Sequence, residues 1–220
     1  MKKHGLLIFG ALLTAVLLGV SAISWPHLSN SIAVHFDLNG KPNGYMSKQT
    51  ALIFGPAVVM GLTLLLAVVR KVRFSDEDAE GGQGKAFDLI GCAVIALIAA
   101  SHILILLKAQ GAVTNVTGVI VPLTALFLIL MGNVLGKTRR NALVGIRTPW
   151  SLASPYAWEK SNRVGGRLFF LVGVMVLFVD FAFSSTLAIQ ALIAGVVATA
   201  AISILLSWHY WRSDPSRSAT

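Results

Sequence analysis

The strongest constraint on this chain is the length of its apolar runs, because six of them can each cross a lipid bilayer. A helix rises about 1.5 Å per residue, so roughly 20 residues span a hydrocarbon core of about 30 Å. The six runs lie at residues 5–24, 50–69, 88–107, 113–133, 168–184 and 187–208. In lipid a backbone must satisfy its own hydrogen bonds, and a helix does so within one segment. We therefore predict an all-α integral membrane fold with six transmembrane helices.

The first apolar run also has some features of a cleaved signal peptide. Lys2 and Lys3 precede it, and residues 20–22 form a passable cleavage site. However, the run is longer than a usual signal-peptide core, and five more spans follow it. We expect it to be retained as the first helix.

Small residues suggest which helix faces pack together. Ala11, Ala15 and Gly19 recur every four positions on the first run, as do Ala191, Gly195, Thr199 and Ser203 on the last. Such ridges let helix backbones approach closely in lipid. Only residues 184–186 separate the last two runs, which predicts an antiparallel helical hairpin.

The basic residues predict the orientation of the chain. Only 12% of its 220 residues are charged, yet the net charge is +9. With the N-terminus inside, 15 of the 18 Lys and Arg residues would lie inside, and the exceptions are Lys41, Lys48 and Lys108. The positive-inside rule therefore favours both ends in the cytoplasm. We predict anionic lipids at the inner interface as partners, and no direct nucleic acid, since no nucleic-acid-binding module is recognisable.

Composition also divides the chain along its length. We predict an N-terminal helical pair with an outer loop at 1–70, a cytoplasmic linker at 71–87 and a four-helix membrane region at 88–220. The linker is acidic at 76–80 and then rich in glycine, as solvated flexible segments are. The single cysteine, Cys92, lies in an apolar run and is expected to be a small buried hydrophobe. No metal or other cofactor is predicted.

The outer loop, residues 25–49, is predicted to be structured. Residues 32–36 have a strand-like pattern, and residues 39–44 are dense in turn formers. The loop fails the calcium-loop pattern, because Lys41 and Pro42 occupy positions of a ligand and the glycine. A transition-metal site at His27, His35 and Asp37 is an alternative, although loop histidines are more often simply hydrated. The outer-loop candidates for function are His35, Phe36, Asp37, Gly40 and Pro42.

The inner loop, residues 134–167, alternates cations with tryptophans. Trp prefers the headgroup region, and Arg pairs with lipid phosphates, so this pattern is typical of an interfacial anchor. Ser154 is a suitable cap for a short helix with Pro155 at its first position. We expect that helix to carry Trp158 along the inner interface.

The inner loop also carries a recognisable motif, Gly-Ile-Arg-Thr-Pro-Trp at residues 145–150. With its flanking residues this motif resembles the signature of the SdpI family, named for the immunity protein against a sporulation-delaying peptide toxin of bacilli. The outer loop is similar to the N-terminal domain of unknown function that accompanies that signature. The residues carried over as motif and partner-binding candidates are Asn133, Gly136, Lys137, Asn141, Gly145, Ile146, Arg147, Thr148, Pro149, Trp150, Trp158, Arg163 and Gly166.

The resemblance implies a multi-pass protein of the bacterial cell membrane that protects its cell from a membrane-active peptide toxin. It further implies an extracellular toxin as partner and, as in the namesake, signalling by capture of a cytoplasmic transcriptional repressor. Family members also occur without the toxin system, so the resemblance leaves the immunity role and the oligomeric state open.

Two ionisable residues lie inside predicted spans, His102 on the third and Asp180 on the fifth. Such residues are costly in hydrocarbon and are candidates for function. Each lies about 18–21 Å from the inner end of its helix, so both are expected in the outer half. They would form a pair or share a polar cavity; alternatively, each satisfies itself separately.

These residues suggest a second function, a proton- or solute-coupled small membrane transporter. Against it, the spans show no clear inverted repeat and few broken helices. A membrane-embedded enzyme is the weakest alternative, because no nucleophile–base set or HExxH-type motif is present. We predict that the chain is not an enzyme.

Overall fold

The computed structural model describes residues 4–74, 82–141 and 143–217. Within these residues six helices are long and apolar enough to cross a membrane. They are α1 (Gly5–Ser24), α2 (Lys48–Arg73), α3 (Gly82–Ala109), α4 (Thr117–Leu135), α6 (Pro155–Ala182) and α7 (Ser185–Arg212), with the five-residue helix α5 (Pro149–Ala153) preceding α6. The six-helix prediction is confirmed, whereas the orientation with both ends in the cytoplasm stays a prediction.

The largest difference from the sequence prediction concerns the start of α6. Ser154 does cap a helix with Pro155 at its first position, and the Ala157 N–H donates to Ser154 Oγ at 3.0 Å. The expectation of a separate short helix is wrong, because the helix continues without a break from Pro155 to Ala182. Residues 156–167 contain no proline. Hydropathy detects only the apolar part of a helix, so the polar first half of α6 could not be recognised in this way.

Helices α1, α2 and α3 form the core of a first compact unit, residues 1–123. Leu17, Val59, Ile95 and Ala99 are buried together where these helices meet. The face of α1 that packs carries Leu6, Gly10, Thr14, Leu17 and Ser21. The ridge predicted on α1 is therefore wrong: Ala11, Ala15 and Gly19 are exposed, since the buried positions follow the 3.6-residue period on another face.

A β-hairpin connects α1 to α2, and its first strand coincides with the strand-like pattern predicted at residues 32–36. Strands β1 (Ser31–Phe36) and β2 (Pro42–Ser47) pair antiparallel. Leu28 and Ile32 are buried against Ala51 and Leu52 of α2 and Leu106 of α3. The hairpin is therefore held on one end of the three-helix unit by apolar contacts.

The second compact unit, residues 124–220, contains α6 and α7 as an antiparallel hairpin. Phe183 and Ser184 connect the two helices, and Ser184 Oγ caps α7 by accepting from the Leu187 N–H at 3.2 Å. On α7 the predicted ridge of small residues does pack, since Thr199 and Ser203 are buried and Gly195 faces Val172. The short connection and this ridge agree with the sequence predictions.

The domain boundaries predicted from composition, 1–70, 71–87 and 88–220, stay a prediction. Residues 75–81 of the predicted linker, with its acidic run, lie outside the described residues. On either side of them, Arg70 Nε donates to Asp88 Oδ1 at 2.7 Å, and both side chains are nearly buried. This ion pair connects the end of α2 to the start of α3.

We predict that Asp88→Ala lowers the free energy of unfolding by about 3 kcal/mol, because it removes the carboxylate from a nearly buried ion pair. The matched control is Glu159→Ala, which breaks the exposed pair between Glu159 and Arg163 and costs less than about 1 kcal/mol. Thermal melting of the purified variants in detergent measures both. Equal melting midpoints for the two variants would contradict the structural role of the buried pair.

Candidate functional site

The motif at 145–150 starts from a turn that Asn141 closes. Its Oδ1 accepts hydrogen bonds from the Leu143 and Val144 N–H groups, at 2.8 and 2.7 Å. Its Nδ2 donates to the Arg139 and Val144 carbonyls, at 2.8 and 3.1 Å. Asn side chains commonly replace a backbone partner in this way. Asn141 therefore shapes the approach to the motif and is not itself open for binding.

Asn162 of α6 holds the middle of the motif. Its Oδ1 accepts from the Ile146 N–H at 2.7 Å, and its Nδ2 donates to the Trp158 carbonyl at 3.0 Å. Asn162 is 1% exposed. Sequence reasoning missed this residue. The signal that could have identified it is its low helix propensity, because an Asn inside a helix often has a specific hydrogen-bond partner.

The second half of the motif starts helix α5. Thr148 and Ser151 form a capping box, in which the Ser151 N–H donates to Thr148 Oγ1 and the Thr148 N–H donates to Ser151 Oγ. Thr148 Oγ1 then donates to Ser207 Oγ on α7 at 2.7 Å. Pro149 occupies the first helical position, where its missing N–H costs nothing. These bonds join the motif to α7.

Gly145 and Trp158 are coupled by close contact. Gly145 has φ of +141°, a conformation that suits glycine, and a Cβ there would be 2.5 Å from Trp158 Cη2. The Trp158 indole is 2% exposed, and its Nε1–H donates to the Thr138 carbonyl at 3.0 Å. Trp158 is thus a buried part of the motif's support, whereas the sequence had suggested an interfacial ring.

The motif therefore separates into internal and exposed residues. Ile146 packs on Gly165 of α6, while Trp150 is half-buried. Arg147 is exposed, and within the described residues its guanidinium makes no hydrogen bond or ion pair. Among the six motif residues, Arg147 is the one whose charge is available to a partner.

A groove opens between the end of α4 and the polar half of α6, both within the second unit. Its volume is about 520 Å³. Five of the predicted family residues, Asn133, Gly136, Lys137, Arg163 and Gly166, line it together with Arg167. Asn133 Nδ2 donates to the Ile129 carbonyl, and Arg163 pairs with Glu159. The groove brings together candidates that the sequence placed up to 33 positions apart.

A second cavity lies beneath the hairpin in the first unit, with a volume of about 300 Å³. Its lining is mainly apolar and includes Val34, His35, Met46, Phe54, Val58 and His102. A cavity of this size, with few polar groups, suits an apolar group that carries one hydrogen-bonding atom.

The hydrogen bonds around His102 determine its tautomer. Ser21 Oγ donates to the Leu52 carbonyl at 3.0 Å, and Ser21 Oγ lies 3.1 Å from His102 Nε2. A hydroxyl has one proton, so Nε2 must be the donor to Ser21. In the neutral ring Nδ1 is then an acceptor, and it packs against Gly55, where any Cβ would overlap it.

The other outer-loop candidates build the hairpin itself. Asp37 Oδ1 accepts from the Asn39 and Lys41 N–H groups at 2.9 and 2.8 Å, and Gly40 has φ of +76°. Phe36 pairs with Pro42 at the end of the ladder. These residues close the turn, and His35, which is hydrogen bonded to Asn43, faces the cavity. Within the described residues no group of His, Cys, Asp and Glu is arranged to hold a metal.

Asp180 differs from His102 in its surroundings. Its Oδ1 is buried without a hydrogen-bond partner among the described residues. Asp180 belongs to the second unit and His102 to the first. The pair, the shared cavity and the transporter function that would use them stay predictions.

Two sequence profiles match the chain. The SdpI/YfhL protein family matches residues 137–207, which cover the motif, α6 and most of α7. A domain of unknown function, DUF1648, matches residues 12–61, which cover the hairpin and parts of α1 and α2. Each match corresponds to one of the two regions described above.

The immunity protein SdpI of Bacillus subtilis (strain 168) is 25% identical over 215 residues, which are 96% of this chain and 97% of that protein. No solved structure matches the chain. The resemblance to the SdpI family is confirmed, and this family is not one of enzymes. Together with the six apolar helices, it identifies a multi-pass protein of the bacterial plasma membrane.

We predict that Gly145→Ala lowers the free energy of unfolding by about 3 kcal/mol, since it combines backbone strain with overlap on the Trp158 ring. Gly111→Ala is the matched control: Gly111 also has positive φ, but nothing lies within 4 Å of its Cβ position, so only about 1 kcal/mol is lost. Thermal melting in detergent compares them. The contact would be unimportant if the two variants melted alike.

Proposed function

We propose that this chain is a membrane immunity protein that protects its cell from a membrane-active peptide. The observation that carries the proposal is the similarity to an immunity protein, which runs through both the hairpin region and the inner motif. A similarity limited to the membrane-spanning helices would reflect only the apolar composition that such helices share. Here the aligned region also includes the non-helical segments, where hydropathy does not dictate the choice of residue.

The cavity beneath the hairpin is the proposed place for the peptide. A membrane-active peptide presents apolar side chains beside backbone N–H groups. The cavity offers apolar walls from Phe54 and Val58, and His102 is one of its few polar lining residues. Burying an apolar side chain there contributes roughly 2 kcal/mol. The predicted orientation puts this cavity on the outer side, where such a peptide arrives.

In this proposal, the gene's deletion sensitises the cell to at least one membrane-active peptide, and the wild-type gene restores resistance. Val58→Phe fills the cavity and is expected to lower the inhibitory concentration by about tenfold, since losing roughly 1.4 kcal/mol of binding gives that factor. The matched control, Val68→Phe, makes the same substitution on an exposed face of α2 and keeps resistance. Equal amounts of each variant in the membrane are verified by immunoblot.

Two results would contradict parts of the proposal separately. Unchanged sensitivity of the deletion strain to every peptide tested would argue against an immunity function. Full resistance with Val58→Phe, in a strain that the deletion does sensitise, would leave the function intact and exclude the cavity as the binding site.

The proposal extends to capture of a cytoplasmic transcriptional repressor by the inner loop. Arg147 supports it, because its exposed cation is presented by a segment that hydrogen bonds hold rigid. An exposed charge on a rigid support is a suitable contact for an acidic surface of a partner. With the inner loop in the cytoplasm, the peptide and the repressor would bind opposite sides of the membrane.

We predict that a fluorescent fusion of a repressor encoded beside this gene moves to the membrane when the peptide is added. Arg147→Ala is expected to abolish that relocation, because it removes the exposed cation and no internal hydrogen bond. Arg139→Ala removes a charge from the same loop outside the motif and is expected to have no effect. Relocation that persists in Arg147→Ala would exclude this residue as the contact, whereas a cytoplasmic repressor in the wild type would refute capture.

A further inference from the structure

We propose that the groove between α4 and α6 binds one anionic phospholipid, with its phosphate on Lys137, Arg163 and Arg167 and an acyl chain along Phe170 and Leu171. This site is separate from the Arg147 face and from the cavity beneath the hairpin. It goes beyond the immunity function and does not depend on it.

The floor of the groove is bare backbone. Gly132 of α4 and Gly166 of α6 face each other so closely that a Cβ on Gly132 would be 2.5 Å from the Gly166 carbonyl oxygen. A Cβ on Gly166 would in turn be 2.7 Å from the Gly132 carbonyl oxygen. Because neither residue has a side chain, the two helices meet at their backbones and leave a recess beside the crossing. Lys137, Arg163 and Arg167 border this recess.

The recess has an excess of positive charge. All three cations are exposed, and no acidic side chain lines the groove. Glu159 compensates only Arg163, through an exposed pair at 2.6 Å that an incoming phosphate can replace at little cost. Arg and Lys donors on one recess are the chemistry that recognises phosphate.

Phe170 and Leu171 favour a lipid over a soluble phosphate. Arg163, Gly166, Arg167 and Phe170 follow one another at helical spacing, so they lie on one face of α6. Leu171 is about 12 Å further along the axis than Arg163. Phe170 is 37% and Leu171 60% exposed, and both lie in the apolar half of α6. The groove thus passes from charge to hydrocarbon, in the order of a phospholipid headgroup and its chain.

Native mass spectrometry of the purified full chain in neutral detergent tests the proposal, with phosphatidylglycerol, phosphatidylcholine and soluble glycerol phosphate as probes. The wild type is expected to retain phosphatidylglycerol and not phosphatidylcholine. The triple variant Lys137→Gln, Arg163→Gln, Arg167→Gln is expected to weaken that binding roughly 100-fold, at about fivefold per cation.

The matched control is the triple variant Lys71→Gln, Arg73→Gln, Lys85→Gln, which removes the same charge from exposed positions outside the groove. It is expected to bind phosphatidylglycerol like the wild type. Melting midpoints in lipid-free detergent verify that both triple variants fold. If the groove triple still binds, or both triples lose binding equally, the site is excluded and any lipid attraction is a general effect of net charge.

The soluble probe distinguishes the source of the phosphate. Leu171→Ser is expected to weaken phosphatidylglycerol binding several-fold, because it removes apolar contact with the chain. Glycerol phosphate that binds as tightly as phosphatidylglycerol, unaffected by Leu171→Ser, would overturn the lipid assignment in favour of a free phosphate. Equal binding of phosphatidylcholine would overturn the requirement for an anionic headgroup.

Discussion

In the hydrocarbon core of a bilayer, every backbone polar group needs a partner from the protein, and the helices meet this requirement internally. The segments between the helices also bond their backbone groups, to side chains of the protein. Asp37 closes the hairpin turn, Asn141 closes the turn before the motif, and Asn162 bonds the Ile146 N–H. The hairpin and the inner motif are therefore rigid, as a binding surface at a membrane requires.

The inner motif combines support and contact in one short segment. Gly145 allows the Trp158 ring to lie on the backbone, Thr148 bonds α7, and Ile146 fits against Gly165. Arg147, between two such anchored residues, is left exposed. Some motif residues thus shape the segment, and others are available to contact a partner. Only the contacts seen in the folded protein show to which group a given residue belongs.

Hydropathy predicted the six helices well, because the bilayer imposes the same length on each apolar run. It failed at the start of α6, where polar residues such as Glu159 and Arg163 form helix without an apolar signal. The small-residue ridge was right on α7 and wrong on α1. There, spacing alone could not choose between the face of Ala11 and the face of Gly10, and the partner Thr63 on α2 decided.

The sequence by itself determined the membrane class, the six spans, the turn in the outer loop and the resemblance to the SdpI family, since these depend on local composition and on a contiguous motif. Tertiary structure decided which candidates come together. Lys137 and Arg163 line one groove, His102 contacts Ser21 beneath the hairpin, and Asn162 bonds Ile146. These pairs lie 16 to 81 positions apart, and no local rule relates them, because their distance depends on how whole helices pack.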